Sequence, residues 1–228
     1  MKYHFITFAT ESHYDYAVNL AKSSIEKGGF DTYKIYKPGD IDDMFRKKNS
    51  HILNQLRGAG YWIWKIYFIY KHILEIDNND VICYCDSMFL FTGGKKISEV
   101  YNENINHISK IILTKNKPNE PSYYEKTYSK GDDFLFMNCI DNKFFDTEQV
   151  WGGVIIINKN FLALQIIASW FAYIQDERIV TDSITKYYSN LIEFKENRHD
   201  QTVISLIAKK YEIPFISFPN NFLHNLRV

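Results

Sequence analysis

The apolar run Val81-Ile82-Cys83-Tyr84-Cys85 stops at one acid, Asp86, followed by Ser87. A run of this type reads as a short buried strand. In open α/β sheets, ligands bind beyond the carboxyl ends of strands, so an acid placed there can reach a metal or a phosphate. The plainer use of Asp86 is to cap a turn. Three further segments set polar groups in apolar surroundings. Gly58-Ala59-Gly60-Tyr61-Trp62-Ile63-Trp64-Lys65 brings two indoles and an ammonium to the start of a helix-like stretch. Lys65 could meet a diphosphate there, where backbone amides also favour anions, or could stay solvated. Residues two apart on a helix do not share a face, so only one of Trp62 and Trp64 is expected over a ligand. Gly152-Gly153 breaks a β-forming run, and a glycine inside a strand implies a close approach to backbone or a β-bulge. Arg198-His199-Asp200-Gln201 opens an apolar-periodic segment, where Asp200 can cap a helix or act as a carboxylate.

These groups need a frame. Residues 3–9 read as a strand, and Thr7-Phe8-Ala9-Thr10 at its end can approach a ligand with Phe8 beside a base. Ser12 is a candidate cap for a helix in which Ala17, Leu20, Ala21, Ser24 and Ile25 share a face, stopped by Gly28-Gly29. Residues 32–36 form a second strand, which makes a βαβ start and a parallel sheet. A helix is expected over 61–74, a turn at 77–80, a strand over 81–84 and another, a candidate edge strand, over 108–113. Residues 115–130, rich in Lys, Pro, Asn, Ser and Tyr, read as a long loop suited to a mobile lid. Further strands are expected over 150–157 and 215–218, and helices over 161–173 and 200–211. The fold class is therefore α/β, a single domain with a Rossmann-like, mostly parallel sheet flanked by helices.

Composition narrows the classes. The 228 residues are 46% hydrophobic, enough for a core, and 17% aromatic, enough for rings to stack on sugars or bases. The 27 basic and 27 acidic residues cancel, which argues against a nucleic-acid partner. Three cysteines, Cys83, Cys85 and Cys139, make neither a disulfide framework nor a zinc site, and read as reduced core thiols of a cytoplasmic protein. The start reads as a strand rather than a signal peptide, and no apolar run suits a transmembrane segment.

Four segments in order resemble the GT-A nucleotide-diphospho-sugar transferase superfamily, in particular its small bacterial and giant-virus glycosyltransferases. Gly60-Tyr61-Trp62-Ile63-Trp64-Lys65 is similar to that group's glycine–tyrosine–tryptophan–x–tryptophan–lysine segment, and Tyr84-Cys85-Asp86 stands at its Asp-x-Asp signature. Gln149-Val150-Trp151-Gly152-Gly153 is similar to the strand beneath the donor sugar, and His199-Asp200-Gln201 to a histidine–aspartate–glutamine helix start. The resemblance implies a hexosyltransferase using a nucleotide-sugar donor, with UDP the commonest carrier, and a glycan, protein or lipid acceptor; a homodimer is open. It implies donor contacts at Thr7, Phe8, Ala9, Thr10, Trp64, Lys65, Tyr84, Gln149, Gly152 and Gly153. Mn²⁺ or Mg²⁺ would be held by Asp86 and a late histidine, His224. Catalysis would fall to Asp200, Gln201 and Asp182, with Glu148 a further candidate. Tyr84 departs from the pattern, since it replaces the first acid.

Two other classes compete. Haloacid-dehalogenase phosphatases also end an apolar strand in Asp, but they need a second acid where Met88 stands. A catalytically inactive nucleotide-sugar or carbohydrate-binding module fits the loss of the first acid at Tyr84.

Overall fold

The computed structural model describes residues 1–115, 123–217 and 221–226. Strand β1 (Tyr3–Phe8), helix α1 (Tyr14–Ser23) and strand β2 (Thr32–Tyr36) form the expected βαβ start, with β1 and β2 paired in parallel. Helix α2 (Ile63–Glu75) leads to β3 (Val81–Cys85), and β4 (Phe89–Phe91), α3 (Ile97–Asn104) and β5 (Ile111–Lys115) follow. Strand β6 (Val150–Asn158), helix α4 (Phe161–Tyr173) and helix α5 (Asp200–Lys210) precede the short β7 (Phe215–Ile216) and β8 (Leu223–Asn225).

Six strands make one sheet in the order β2-β1-β3-β6-β5-β7, while β4 and β8 pair separately. Only β6 runs against its neighbours β3 and β5; the other pairs are parallel, so the sheet is mixed but mostly one-directional. Alternation along each strand feeds two apolar layers. Ile82, Tyr84, Ile155 and Ile157 pack with Ile66, Ile166 and Leu206 from α2, α4 and α5. Val81, Cys83, Cys85, Val154 and Ile156 pack with Leu20 and Val100 from α1 and α3. The helices thus cover both faces, and all three cysteines are buried thiols.

Several local expectations change. Ser12 does not cap α1; its hydroxyl bonds His13 Nδ1 at 2.9 Å, and the residue before the helix makes no side-chain cap. The strand expected over 108–113 is Ile111–Lys115, and it lies inside the sheet between β6 and β7 rather than at an edge. Of the expected lid, residues 116–122 lie outside the described residues, and the rest is packed structure. Tyr124 bridges Glu148, and Glu125 is fully buried, accepting from Ser129 Oγ, Ser205 Oγ and Gln149 Nε2 while Lys209 Nζ neutralises it at 2.5 Å. A buried carboxylate with this many partners ties the segment to α5.

The helix expected from residue 61 begins at Ile63, because residues 58–62 turn the other way. Gly58, Ala59, Gly60, Tyr61 and Trp62 have φ of 58°, 51°, 95°, 52° and 60°. Left-handed backbone costs non-glycine residues about 1–2 kcal/mol each, so packing must hold this turn. Gly60 is packed against backbone: a Cβ there would lie 2.7 Å from Leu53 Cα. Gly60→Ala should therefore lower stability by about 2–4 kcal/mol, measured by urea unfolding. Gly39→Ala, where a Cβ would meet nothing within 4 Å, should be nearly neutral. Equal midpoints for the two variants would show that the turn is not strained.

Candidate active site

Strands β1 and β3 end side by side, and two hydrogen bonds fix the end of β3. Thr7 Oγ1 donates to the Cys85 carbonyl at 2.8 Å, and the Asp86 amide donates to the Gly153 carbonyl at 2.9 Å. Asp86 thereby emerges at the carboxyl edge of the sheet, where ligands bind in such folds. The Tyr84 hydroxyl donates to Asp86 Oδ1 at 2.7 Å. Burial, and then the charge of Asp86, push the Tyr84 phenol well above its usual range, so it remains a donor. The residue replacing the first acid of the signature is thus a neutral support for the second.

Lys65 lies in the first turn of α2 and is buried rather than solvated. Its Nζ is 2.6 Å from Asp200 Oδ2 and 3.9 Å from Asp86 Oδ1, donates to the Gly152 carbonyl at 3.1 Å, and sits 5.5 Å from the centre of the Tyr84 ring. One ammonium therefore collects four residues from β3, β6 and α5. Burial raises the Asp200 carboxyl to about 6; Lys65 opposes that rise and Asp86 adds to it.

Asp86 links this cluster to solvent. A cleft of about 370 Å³ opens above it, walled by Phe8, Ala9, Thr10, Trp62, Trp64 and Ser87. Trp64 stacks on Phe8 with ring centres 3.8 Å apart, and its Nε1 donates to the Gly58 carbonyl at 2.9 Å. Both tryptophans line the cleft, contrary to the expectation of one. The helical-face argument fails because Trp62 belongs to the left-handed turn, not to α2.

The remaining expected residues divide. Phe8, Ala9, Thr10 and Trp64 line the cleft, whereas the Thr7 side chain is spent inside on Cys85. Gly152 touches the Lys65 cluster, and the pairing of β6 with β5 shifts register at the Leu113/Thr114 step, which fits the β-bulge alternative for these glycines. Gly153 has a packing reason besides, since a Cβ there would overlap the Trp151 indole. Gln201 Oε1 accepts from the Gly152 amide at 3.3 Å, and its Nε2 donates to Gln149 Oε1 at 3.0 Å. Gln149 is 1% exposed and its own amide donates to Glu125, Ser129 and Thr202. It therefore orients Gln201 from within instead of lining the cleft.

Asp182 pairs with Arg57 at 3.1 Å and stands outside the Asp86 cluster, lining a second cavity. Glu148 pairs in a bridge with Tyr124. His224 is exposed on β8 opposite Leu90, with no bond to Asp86. His13, Leu56 and Ser87 also line the cleft and were not expected there. Position is the only sequence signal for them: each lies within a few residues of a strand end or of the Gly58–Gly60 turn.

No protein-family model matches the chain, and no curated protein matches its sequence. Among solved structures, that of mouse xyloside xylosyltransferase 1 in its apo form superposes with a TM-score of 0.50 over 96% of this chain and 85% of that one, at 11% identity. The bifunctional glycosyltransferase WbbM in its apo form gives 0.53 over 96% of this chain but 39% of that longer one, at 10% identity. At such identities it is the fold that is shared. The chain has a GT-A-like glycosyltransferase fold. Among the described residues, no helix is long and apolar enough to cross a membrane.

Removing one partner from a buried ion pair strands the other. Lys65→Met should cost about 3–5 kcal/mol, and Lys65→Met/Asp200→Asn should recover much of it. The sign with pH follows from Asp200, whose folded pKa of about 6 lies above its unfolded value of 3.8. The folded state holds the extra proton between those values, so the contribution of Asp200 to stability falls as pH rises through that window. Without Lys65 the folded pKa climbs further. The melting-temperature deficit of Lys65→Met should therefore widen from about pH 5 to about pH 8. A deficit independent of pH would show that Asp200 is not the stranded charge.

Proposed function

We propose that this chain is a single-domain glycosyltransferase that moves a hexose from a nucleotide-diphosphate sugar, with UDP as the carrier, to a glycan, protein or lipid acceptor. The observation that carries the reading is the gathering of Asp86, Asp200 and Gly152 by Lys65 beneath an aromatic cleft, in a fold shared with glycosyltransferases. Phe8 and Trp64 offer a stacked wall for a base, and Asp86 marks the diphosphate end.

The residues fit a divalent cation at Asp86. It is a hard carboxylate on the cleft, and among the described residues its Oδ2 makes no bond. Among those residues no group of three His, Cys, Asp or Glu side chains could hold a metal alone, which suits an ion completed by donor phosphates and water. Bound there, Mn²⁺ or Mg²⁺ would neutralise the charge growing on the departing diphosphate.

The transfer itself breaks the bond from the anomeric carbon to the phosphate oxygen, which leaves with the electron pair. The acceptor oxygen forms the new bond and gives up its proton. Asp200 takes that proton in this reading, since a pKa near 6 suits a base at neutral pH. Asp200 is buried and held by Lys65 without the donor. An anionic diphosphate entering beside Asp86 competes for the same ammonium and loosens that hold. Gln201, fixed by Gln149 and the Gly152 amide, is placed to meet sugar hydroxyls.

A binding module without catalysis is the second reading, favoured by the Lys65 contact that occupies Asp200 and by Tyr84 in place of an acid. Thermal-shift titration of UDP-sugars with and without Mn²⁺, followed by donor turnover, separates the two. The wild type should be stabilised by a donor and metal together. Asp86→Ala should lose the metal-dependent part of the shift and lose turnover. Asp200→Asn should keep the shift but lose about 10²–10⁴ in turnover. The rise of wild-type turnover with pH through about 6 should vanish in Asp200→Asn. Donor binding without any hydrolysis or transfer would leave the module.

A further inference from the structure

We infer that the cavity bounded by Asp182 and residues 183–197 is a carbohydrate site, and that it seats the sugar of the acceptor beside the donor cleft; the acceptor role rests on the function proposed above. The cavity holds about 290 Å³, and its wall includes Asp182, Ser183, Thr185, Asn190, Phe194 and Glu196. Carboxylates, amides and hydroxyls around one aromatic ring supply the donors, acceptors and apolar plane that a pyranose presents in complement. Nothing in the Asp86 cluster uses these side chains.

Two observations join this cavity to the cleft. Arg57 stands between Leu56 and Gly58, both on the cleft wall, and its guanidinium crosses to Asp182 at 3.1 Å and Glu196 at 3.3 Å on the cavity wall. His199 is the other shared element. One side of its ring stacks on Trp62 of the cleft, with centres 5.5 Å apart, and its Nε2 looks towards Asp182 Oδ1 at 3.8 Å. The chain continues directly from His199 to Asp200, so the residue that faces Asp182 is next in sequence to the carboxylate assigned as base.

His199 also points to a missing donor. Its Nδ1 pairs with the Val180 carbonyl at 2.8 Å, and a carbonyl can only accept, so Nδ1 carries the proton. Burial holds the imidazole neutral, with a pKa near 4. Nε2 is then a lone pair, 2% exposed as a residue and without a hydrogen-bond partner among the described residues. It faces a carboxylate oxygen that also only accepts. The buried Nε2 therefore calls for an O–H or N–H beside it. A sugar hydroxyl has one proton to give and can donate it to Nε2, while the carboxylates, amides and hydroxyls lining the cavity select a polyol over an apolar chain.

The test uses saturation-transfer NMR on the whole chain with a panel of methyl and octyl glycosides of common hexoses and pentoses. It is run beside the thermal shift given by UDP. At least one methyl glycoside should receive saturation through its ring protons. Asp182→Asn and Thr185→Val should each weaken its binding by about tenfold or more, the worth of one hydrogen bond to a charged or buried partner. The UDP shift should persist in both variants, which separates loss of this site from misfolding. Four results would overturn the inference. Glycoside affinities unchanged in both variants would place the glycosides elsewhere, and UDP binding without any glycoside binding would leave the cavity without a sugar; either leaves the donor reading standing. Saturation confined to the octyl chain would assign the cavity to an apolar acceptor. Failure of the wild type to bind any nucleotide, UDP-sugar or glycoside would remove the proposed function and this site together.

Discussion

A lysine ammonium taken out of water must find negative partners inside the fold, because an isolated buried charge costs several kcal/mol. In this protein that demand falls on Lys65, and it is met by Asp200 at 2.6 Å, Asp86 at 3.9 Å and the Gly152 carbonyl at 3.1 Å. These partners come from α5, from the end of β3 and from β6. The ion pair therefore fixes where three elements meet, and it does so at the carboxyl edge of the sheet. Burial and the neighbouring acid raise the Asp200 carboxyl while Lys65 restrains it, which leaves its pKa near neutrality, in the range useful for proton transfer. Stability and chemistry draw on the same contact.

Around this contact the fold spends backbone strain and buried polar bonds. The left-handed turn at 58–62 swings Trp62 over the cleft and onto His199, while α2 starts one residue later and carries Trp64 and Lys65 inwards. Sparsely populated backbone of this kind persists only where packing over-determines it, and it clusters at functional sites. On the opposite side, Glu125 anchors Gln149, Gln149 orients Gln201, and Gln201 grips the Gly152 amide. A chain of fully engaged amides has few alternative arrangements, so the base of the cleft is preorganised before any ligand arrives.

Much of the frame was legible from residue pattern. The βαβ start, the strands ending at Asp86 and containing Gly152-Gly153, and the helices at 161–173 and from 200 follow from apolar periodicity and punctuation by glycine and polar residues. Asp86, Phe8, Trp64 and Lys65 could be singled out because polar or aromatic groups at element ends have few structural uses. The pattern misled where local rules assumed regular backbone. A helical wheel cannot see five residues of positive φ, so it separated Trp62 from Trp64. A polar, proline-containing stretch looked like a lid, yet residues 123–130 fold inwards because Glu125 finds Lys209, which is 84 positions away.

Sequence by itself determined which elements form and which ends of them carry chemistry, since hydrophobic period and turn residues act over a few positions. The tertiary structure alone decided which of those ends meet. The partners of Lys65 lie 21, 87 and 135 positions along the chain, and no local signal encodes that they converge. Nor could sequence say that Tyr84 would support Asp86 through its hydroxyl, or that Asp182 would face His199 at 3.8 Å. Long-range pairing of buried charge is settled by the whole packed core, because only there does desolvation make each unpaired group too costly to leave alone.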